Sequence, residues 1–379
     1  MARSLGIGII GAGNISSTYL NLAPLFKGIK VQAIADINAA AAQHRAGEHG
    51  IEARSMDALL ASHDVDIVVN LTVPDAHFDV SKQILSAGKH LYSEKPLTLS
   101  LKDGLELQKL AEKKKLKAGC APDTFLGGAH QLARKLVDDG EVGTITSGTA
   151  HVLSHGMEHW HPNPDFFFRP GGGPILDLGP YYIANLVNLI GPVRRVAALT
   201  SMASTTRTIS SLPRKGEVID VTTPTTIQAL LEFASGATVT LSASWDVWAH
   251  HHPNMELYGT DGSIFLPDPN FFGGEVKLAK PGKKVKPVKA WSHPFGIANQ
   301  KHAAGMMANY RTAGLADMAA AIIEGRDIRC SLERALHGVD VMVSILRSGE
   351  EKKFIDIRTS CSRPEALGIK DAKSLLKKP

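Results

Sequence analysis

From residue 4 to about 122 the chain alternates short apolar runs with longer stretches of helical periodicity, and no other feature restricts its fold so strongly. The runs are LGIGII from residue 5, KVQAIA ending at 35, VDIVVNL from 65, KHLY from 89 and LKAGC from 116. Helical spacing fills the gaps at 14–26, 38–48, 75–87 and 100–115. Parallel strands need long crossover connections, and strands covered on both faces are apolar throughout. The pattern therefore predicts an α/β domain built on a doubly wound parallel sheet.

After a helix predicted at 126–139 the texture changes to longer alternating runs, TITSGTAHVLS, TTIQALLEF and ATVTLSASW, with turn signals at ASGA (234–237) and GTDGS (259–263). These predict a mostly antiparallel sheet, interrupted by a helix at about 180–190 with Ile183, Leu186, Val187 and Ile190 on one face. Helices are predicted also at 312–324 and 331–346. A chain of 379 residues exceeds one ordinary core. The expected division is a nucleotide-binding domain at 1–122 and a second α/β domain at 123–379.

Composition excludes several classes. No apolar run approaches the ~20 residues that span a bilayer, and LGIGIIGAG is short, interrupted by glycine and followed by Asn14, unlike a signal peptide. Three widely spaced cysteines fit reduced thiols in the cytoplasm better than a disulfide framework. A net charge of +5, with basic runs at 113–117 and 283–289 but no recognition motif, predicts solvated faces and no nucleic-acid partner.

Directly after the first run stands Gly11-x-Gly13-x-x-Ser16. Gly11 allows a tight turn, Gly13 allows backbone to approach a pyrophosphate, and the helix start at Asn14 and Ile15 offers oriented N–H donors to its charge. Asp36 ends the second strand 23 positions after Gly13, near the ~20 expected of a ribose-binding carboxylate. A carboxylate repels a 2′-phosphate and no arginine follows it in DINAA, so NAD is expected rather than NADP. The competing reading is a glycine-rich turn with a helix-capping Asp.

Ligands of open α/β sheets bind outside the carboxyl ends of the strands. NLTVPDAH brings Thr72, Pro74 and His77 to one such end, and SEKP brings Glu94 and Lys95 to another. Glu94 and Lys95 read either as a solvated pair worth at most ~1 kcal/mol, or as a lysine held beside the nicotinamide to polarise a substrate oxygen. Their place after a strand favours the second.

The glycine loop, Asp36, TVPDAH, AGKHLYSEKP and GGGPILDLGPYYIANLVNLIGPV together resemble the Gfo/Idh/MocA family, the glucose-fructose oxidoreductase and inositol dehydrogenase group, over about residues 5–346. The resemblance implies an N-terminal Rossmann domain and a C-terminal domain whose large open sheet makes oligomer contacts, in a homodimer or homotetramer. It also implies a nicotinamide cofactor and a carbohydrate or polyol substrate. By it, Lys95 is the catalytic lysine, Glu94 lies near the nicotinamide ribose and Asp177 is a pocket aspartate. The chain departs from the commoner motif at the next position, where the usual histidine is Tyr181, and again at Ala184 in place of a frequent aspartate.

Oxidation of a secondary alcohol needs an acid/base group within reach of the hydroxyl. A phenol is a poor base near neutral pH, but an adjacent ammonium lowers its pKa by ~1–3 units, and Lys95 is the candidate. Asp177 and Tyr181, four apart, share a side if the helix extends back to Asp177; otherwise Asp177 caps the helix and Tyr181 packs. In SHGMEHWHPNP, after the first strand of the second domain, His155, Trp160, His161 and Asn163 are expected to line a substrate pocket with Arg169. WDVWAHHH (245–252) is a second candidate wall. The prolines and the lack of a nearby cysteine argue against a metal there. Three activities fit: an NAD-dependent sugar or cyclitol dehydrogenase, a redox-neutral hydrolase or epimerase-like enzyme with tightly held NAD, and a non-catalytic regulator, against which Lys95 argues.

Overall fold

The computed structural model describes residues 4–302 and 305–377. The chain forms two compact units. The first comprises residues through Gly128, Ser292–Val339 and the segment from Pro364; the second comprises Ala129–Trp291 and Asp340–Arg363. A single cut at 122/123 does not describe this packing, because two later segments return to the first unit.

In the first unit β1 (Leu5–Ile10), α1 (Asn14–Leu22), β2 (Ile29–Ala35), α2 (Ala39–His49), β3 (Glu52–Ala53), α3 (Met56–Ala61), β4 (Ile67–Asn70), α4 (His77–Ser86), β5 (His90–Ser93), α5 (Leu101–Lys114) and β6 (Ala118–Cys120) follow one another. The six strands form one parallel sheet in the order β3-β2-β1-β4-β5-β6. All of β1 and β4 is buried, as a sheet covered on both faces requires. The order reverses at β1 and β4, so the crevice beyond their carboxyl ends is a topological switch point. Near the opposite end of the unit's chain, Lys27 N–H donates to the carbonyl of Leu375 and Lys377 N–H to that of Leu25 (both 2.8 Å).

The helix Ala313–Glu324 is capped from a distance by Asp123, whose Oδ2 accepts the N–H groups of Thr312 (3.0 Å) and Gly314 (2.9 Å). Burial, opposed by these bonds, raises the Asp123 carboxyl to about 6. The folded state then holds this proton where the unfolded chain, with its ordinary pKa near 3.8, has lost it. Stability from this group is complete below about 4 and declines as pH rises to about 6. Asp123→Asn, which keeps an acceptor but cannot ionise, is expected to flatten this segment of the stability curve, read by thermal melts from pH 4 to 7.

The second unit contains α6 (Gly128–Asp138), β7 (Ile145–Leu153), α7 (Gly173–Asp177), α8 (Gly179–Ile190), β8 (Val193–Ser201), β9 (Thr206–Thr208), β10 (Val218–Asp220), β11 (Thr226–Phe233), β12 (Thr238–Ser244), β13 (Met255–Gly259), β14 (Gly262–Leu266), β15 (Lys277–Ala279) and β16 (Lys286–Pro287). Nine strands form one sheet, β16-β15-β14-β13-β7-β12-β11-β8 and then Ile355–Asp356. Its ladders are antiparallel except that of β7 with β12. On β11 the buried Ile227, Ala229, Leu231 and Phe233 alternate with Gln228 and Leu230 on an open face.

α8 is buried nearly all round rather than along one stripe. Its inward polar groups are satisfied. Asn185 donates to Nδ1 of His130 (3.1 Å), the other nitrogen of that ring donates to the Phe271 carbonyl (2.8 Å), and Arg134 donates to Oδ1 of Asn188 (3.1 Å). Burial pushes His130 down to about 4, which keeps its Nδ1 an acceptor. Among the described residues no helix is long and apolar enough to cross a membrane.

Candidate active site

Gly11 stands at φ +110° with its N–H bonded to the Ala35 carbonyl (2.8 Å), which holds the loop after β1 against β2. A Cβ there would lie 2.6 Å from the carbonyl of Leu71, so only glycine fits. Gly13 differs. At φ −68° its backbone accepts any residue, and among the described residues nothing lies within 4 Å of the position a Cβ would take. No side chain caps α1 there. The loop thus leaves an uncapped helix start, at Asn14 and Ile15, facing open space, as a bound anionic group requires.

Asp36 closes this loop on itself. Its Oδ2 accepts the Ala12 N–H (2.7 Å) and its Oδ1 the Asn38 N–H (2.8 Å), so the carboxylate sits beside the glycine turn. An uncapped helix start, space above Gly13 and an adjacent carboxylate are a set that suits a dinucleotide's pyrophosphate and adenosine ribose.

Beyond β4, Oδ1 of Asn70 accepts both the N–H (3.2 Å) and the hydroxyl (2.7 Å) of Thr72, and Pro74 begins a single 3₁₀ turn. His77 does not line a groove, contrary to the sequence reading. It is the first residue of α4, 1% exposed, and its ring lies between the carbonyls of Pro96 (2.6 Å from Nδ1) and Thr72 (3.0 Å from Nε2). Burial lowers its pKa, against the pull of the two carbonyls. Its role is to tie the turn after β4 to the turn after β5.

That second turn carries Glu94 and Lys95, both half-buried, with a cis peptide between Lys95 and Pro96. Glu94 N–H donates to the Asn70 carbonyl (2.9 Å). Its Oε1 accepts the Tyr19 hydroxyl of α1 (2.9 Å) and its Oε2 the Lys95 N–H (3.0 Å). Burial foremost, then the charge of Glu94, raises the Tyr19 phenol and keeps it a donor. The loops carrying Gly11, Gly13, Asp36, Thr72, Glu94 and Lys95 therefore gather at the carboxyl edge of the parallel sheet.

In the second unit the parallel pairing of β7 with β12 sends the loops 154–172 and 245–254 out from one end of the sheet. Val247 N–H donates to the Ser154 carbonyl (3.0 Å) and joins them. The first loop holds His155, Trp160, His161, Asn163 and Arg169. His155 and His161 are half-buried; Trp160, Asn163 and Arg169 are exposed, with the Arg169 guanidinium 3.9 Å from Asp165. His161 Nδ1 accepts the Asn163 N–H (3.1 Å). Burial lowers the His155 pKa, and the nearby Arg207 adds to this. Among the described residues no three His, Cys, Asp or Glu side chains are grouped to hold a metal.

Asp177 and Tyr181 do not share one helix. Asp177 is the last residue of α7, Leu178 forms the junction, and Tyr181 lies in the first turn of α8, its N–H bonded to the Leu178 carbonyl (3.2 Å). Asp177 is half-buried and Tyr181 buried. α7 begins beside Thr223 and Pro224, just before β11, at the same end of the sheet as the two loops.

Sequence reasoning missed what braces these loops. Arg207 of β9 donates to Glu158 (3.0 Å), to Asp246 and to the Trp245 carbonyl (3.1 Å), and the second oxygen of Asp246 accepts the hydroxyls of Thr225 and Thr226 (both 2.7 Å). Beneath lies a small core of Met157, Phe168, Ile209, Ile219, Val221 and Trp245. Arg214 pairs with Asp165, and the Ser211 hydroxyl donates to the His161 carbonyl (2.6 Å). The partners are distant in sequence and no motif spacing marks them.

Residues 5–121 match the family model described as "Oxidoreductase family, NAD-binding Rossmann fold", and residues 130–265 match "GFO/IDH/MocA C-terminal domain". The chain is 26% identical to an inositol 2-dehydrogenase of Rhizobium meliloti over 257 residues, 68% of this chain and 74% of that protein. It is 30% identical to an uncharacterised oxidoreductase of Schizosaccharomyces pombe over 148 residues, 38% of this chain and only 39% of that relative. A levoglucosan dehydrogenase solved in complex with NADH shares the fold, with a TM-score of 0.80 at 21% identity over 94% of this chain and 100% of that one.

Proposed function

Since the chain belongs to the Gfo/Idh/MocA family of oxidoreductases, we propose that it moves a hydride between a secondary hydroxyl of a sugar or cyclitol and NAD. The reading is supported most by the convergence of the glycine loop, Asp36 and the Lys95 turn at one edge of the parallel sheet. The relative from Rhizobium meliloti, named an inositol 2-dehydrogenase, supports the substrate class.

We assign Gly11, Gly13, Asn14 and Ile15 to the pyrophosphate, Asp36 to the adenosine ribose, and Thr72, Pro74, Glu94 and Lys95 to the remainder of the dinucleotide site. NAD, when bound, supplies the hydride acceptor. Lys95 is assigned to polarise the substrate oxygen, and Lys95, Tyr181 and Asp177 together to manage the hydroxyl proton. Substrate contacts are assigned to His155, Trp160, His161, Asn163 and Arg169. We assign NAD binding to the first unit, and substrate binding and self-association to the second.

A homodimer or homotetramer is supported by the open sheet face, where exposed Leu199, Leu230 and Phe354 line a groove of about 460 Å³ with Ala197 and Ala229. Sedimentation at micromolar concentration reads this directly. Three buried cysteines suit a cytoplasmic location.

The test is a panel of sugars and cyclitols assayed with NAD and with NADP. Accumulation of NADH with at least one of them is expected. Turnover without net NADH would replace the proposal with the redox-neutral enzyme, and binding without turnover would replace it with the regulator. Asp36→Ala removes a charge-assisted acceptor, and the NAD dissociation constant is expected to rise roughly 10–100-fold. The preference over NADP should shrink with it, measured by titration with both cofactors.

A further inference from the structure

Three large aromatic side chains on the braced loops face solvent: Trp248 is 82% exposed, Trp160 55% and Phe166 47%. Trp248 lies nearly parallel on His155, ring centroids 3.3 Å apart at 19°, which supports one face and leaves the other open. His161 stands edge-on to Trp160 (5.3 Å) and to Phe166 (5.5 Å). The loops carrying them are held by the Arg207 network and the small core around Phe168 and Trp245. Aromatic surface on loops so firmly braced does not serve the fold and marks a binding surface.

Tyr181 is buried, whereas Trp248 and Trp160 stand out at the loop surface. The exposed indoles are thus free to take a group that extends beyond the reacting ring. A second ring, linked outward, would stack its C–H face on an indole. We propose that the substrate is a glycoside, a disaccharide or aryl glycoside whose non-reacting ring stacks on the open face of Trp248, rather than a free monosaccharide or cyclitol. This rests on the carbohydrate reading of the preceding section.

The experiment compares kcat/KM for D-glucose, D-galactose, D-xylose and myo-inositol with that for maltose, cellobiose, lactose and the α- and β-p-nitrophenyl glycosides. Wild-type protein, Trp248→Ala and Trp248→Phe are each assayed. At least one glycoside is expected to exceed its parent sugar by roughly tenfold, the gain from covering one aromatic face. The Ala variant should abolish this advantage and the Phe variant keep part of it, with NADH affinity and Tm unchanged in both. Monosaccharides turned over equally well, or an advantage that survives Trp248→Ala, would overturn the inference and leave the dehydrogenase reading intact. No turnover with any compound would remove that reading, and the inference with it. An altered sedimentation coefficient in the Ala variant would assign the indole to a contact between copies and overturn the inference too.

Discussion

Lys95→Met is expected to lower turnover by about 10² to 10⁴ while the dissociation constant of NAD stays within a few-fold of wild type. The size follows from the role: a positioned cation that stabilises developing negative charge on a substrate oxygen acts in the transition state and little in cofactor binding. The substitution is mild for the fold, because three neighbours hold the turn without the ammonium. Glu94 fixes the Lys95 N–H, the Asn70 carbonyl fixes that of Glu94, and His77 fixes the Pro96 carbonyl. Methionine keeps the unbranched stem. Steady-state assay with NADH titration and a thermal melt separates the outcomes. Near wild-type turnover would end the catalytic assignment, while a lowered Tm would show that the side chain supports the turn itself.

Gly11→Ala and Gly13→Ala, two positions apart, are expected to fail in different ways. At Gly11 the new methyl meets the Leu71 backbone at 2.6 Å, and φ +110° disfavours any L side chain. Strain on the order of 1–3 kcal/mol lowers the melting temperature by about 3–10 °C. The shifted turn also moves the Ala12 N–H away from Asp36, and NAD affinity should fall more than tenfold with it. At Gly13 the methyl enters open space from a backbone alanine readily adopts, so Tm should hold or rise by about 1–2 °C. Only NAD affinity should drop, because the methyl occupies the approach to the helix start. Wild-type NAD binding by Gly13→Ala would refute close approach there.

What the sequence discloses depends on how far each signal reaches along the chain. The five apolar runs correspond to β1, β2, β4, β5 and β6, since a strand covered on both faces can hardly be anything but apolar. β3 escapes because it is two exposed edge residues, Glu52 and Ala53, and α3 because it spans only six residues. His77 follows a strand end and was for that reason expected in the crevice. One helical turn beyond Pro74, however, its ring turns into the protein and meets a carbonyl of the Lys95 turn. Spacing of four between Asp177 and Tyr181 could not disclose the break at Leu178. Arg207 lies 49 positions from Glu158 and 39 from Asp246, and such pairs exist only once β9 has folded beside the loop. Exposure is equally a property of the finished surface, which is why Trp248 read only as part of a wall.

The route of the backbone restricts how such a protein can be inherited in pieces. It passes from one compact unit to the other at 128/129, 291/292, 339/340 and 363/364, the third passage inside the helix Leu332–Glu351. A single recombination event near residue 128 would keep the second unit whole but divide the first, parting Asp123 from the helix it caps and Leu25 and Lys27 from the residues at 375–377 they bond, and one near 291 would divide both units. Relatives that exchange substrate preference should therefore do so by point changes within the braced loops, and grafts meant to transplant specificity should span 154–172 and 206–254 together.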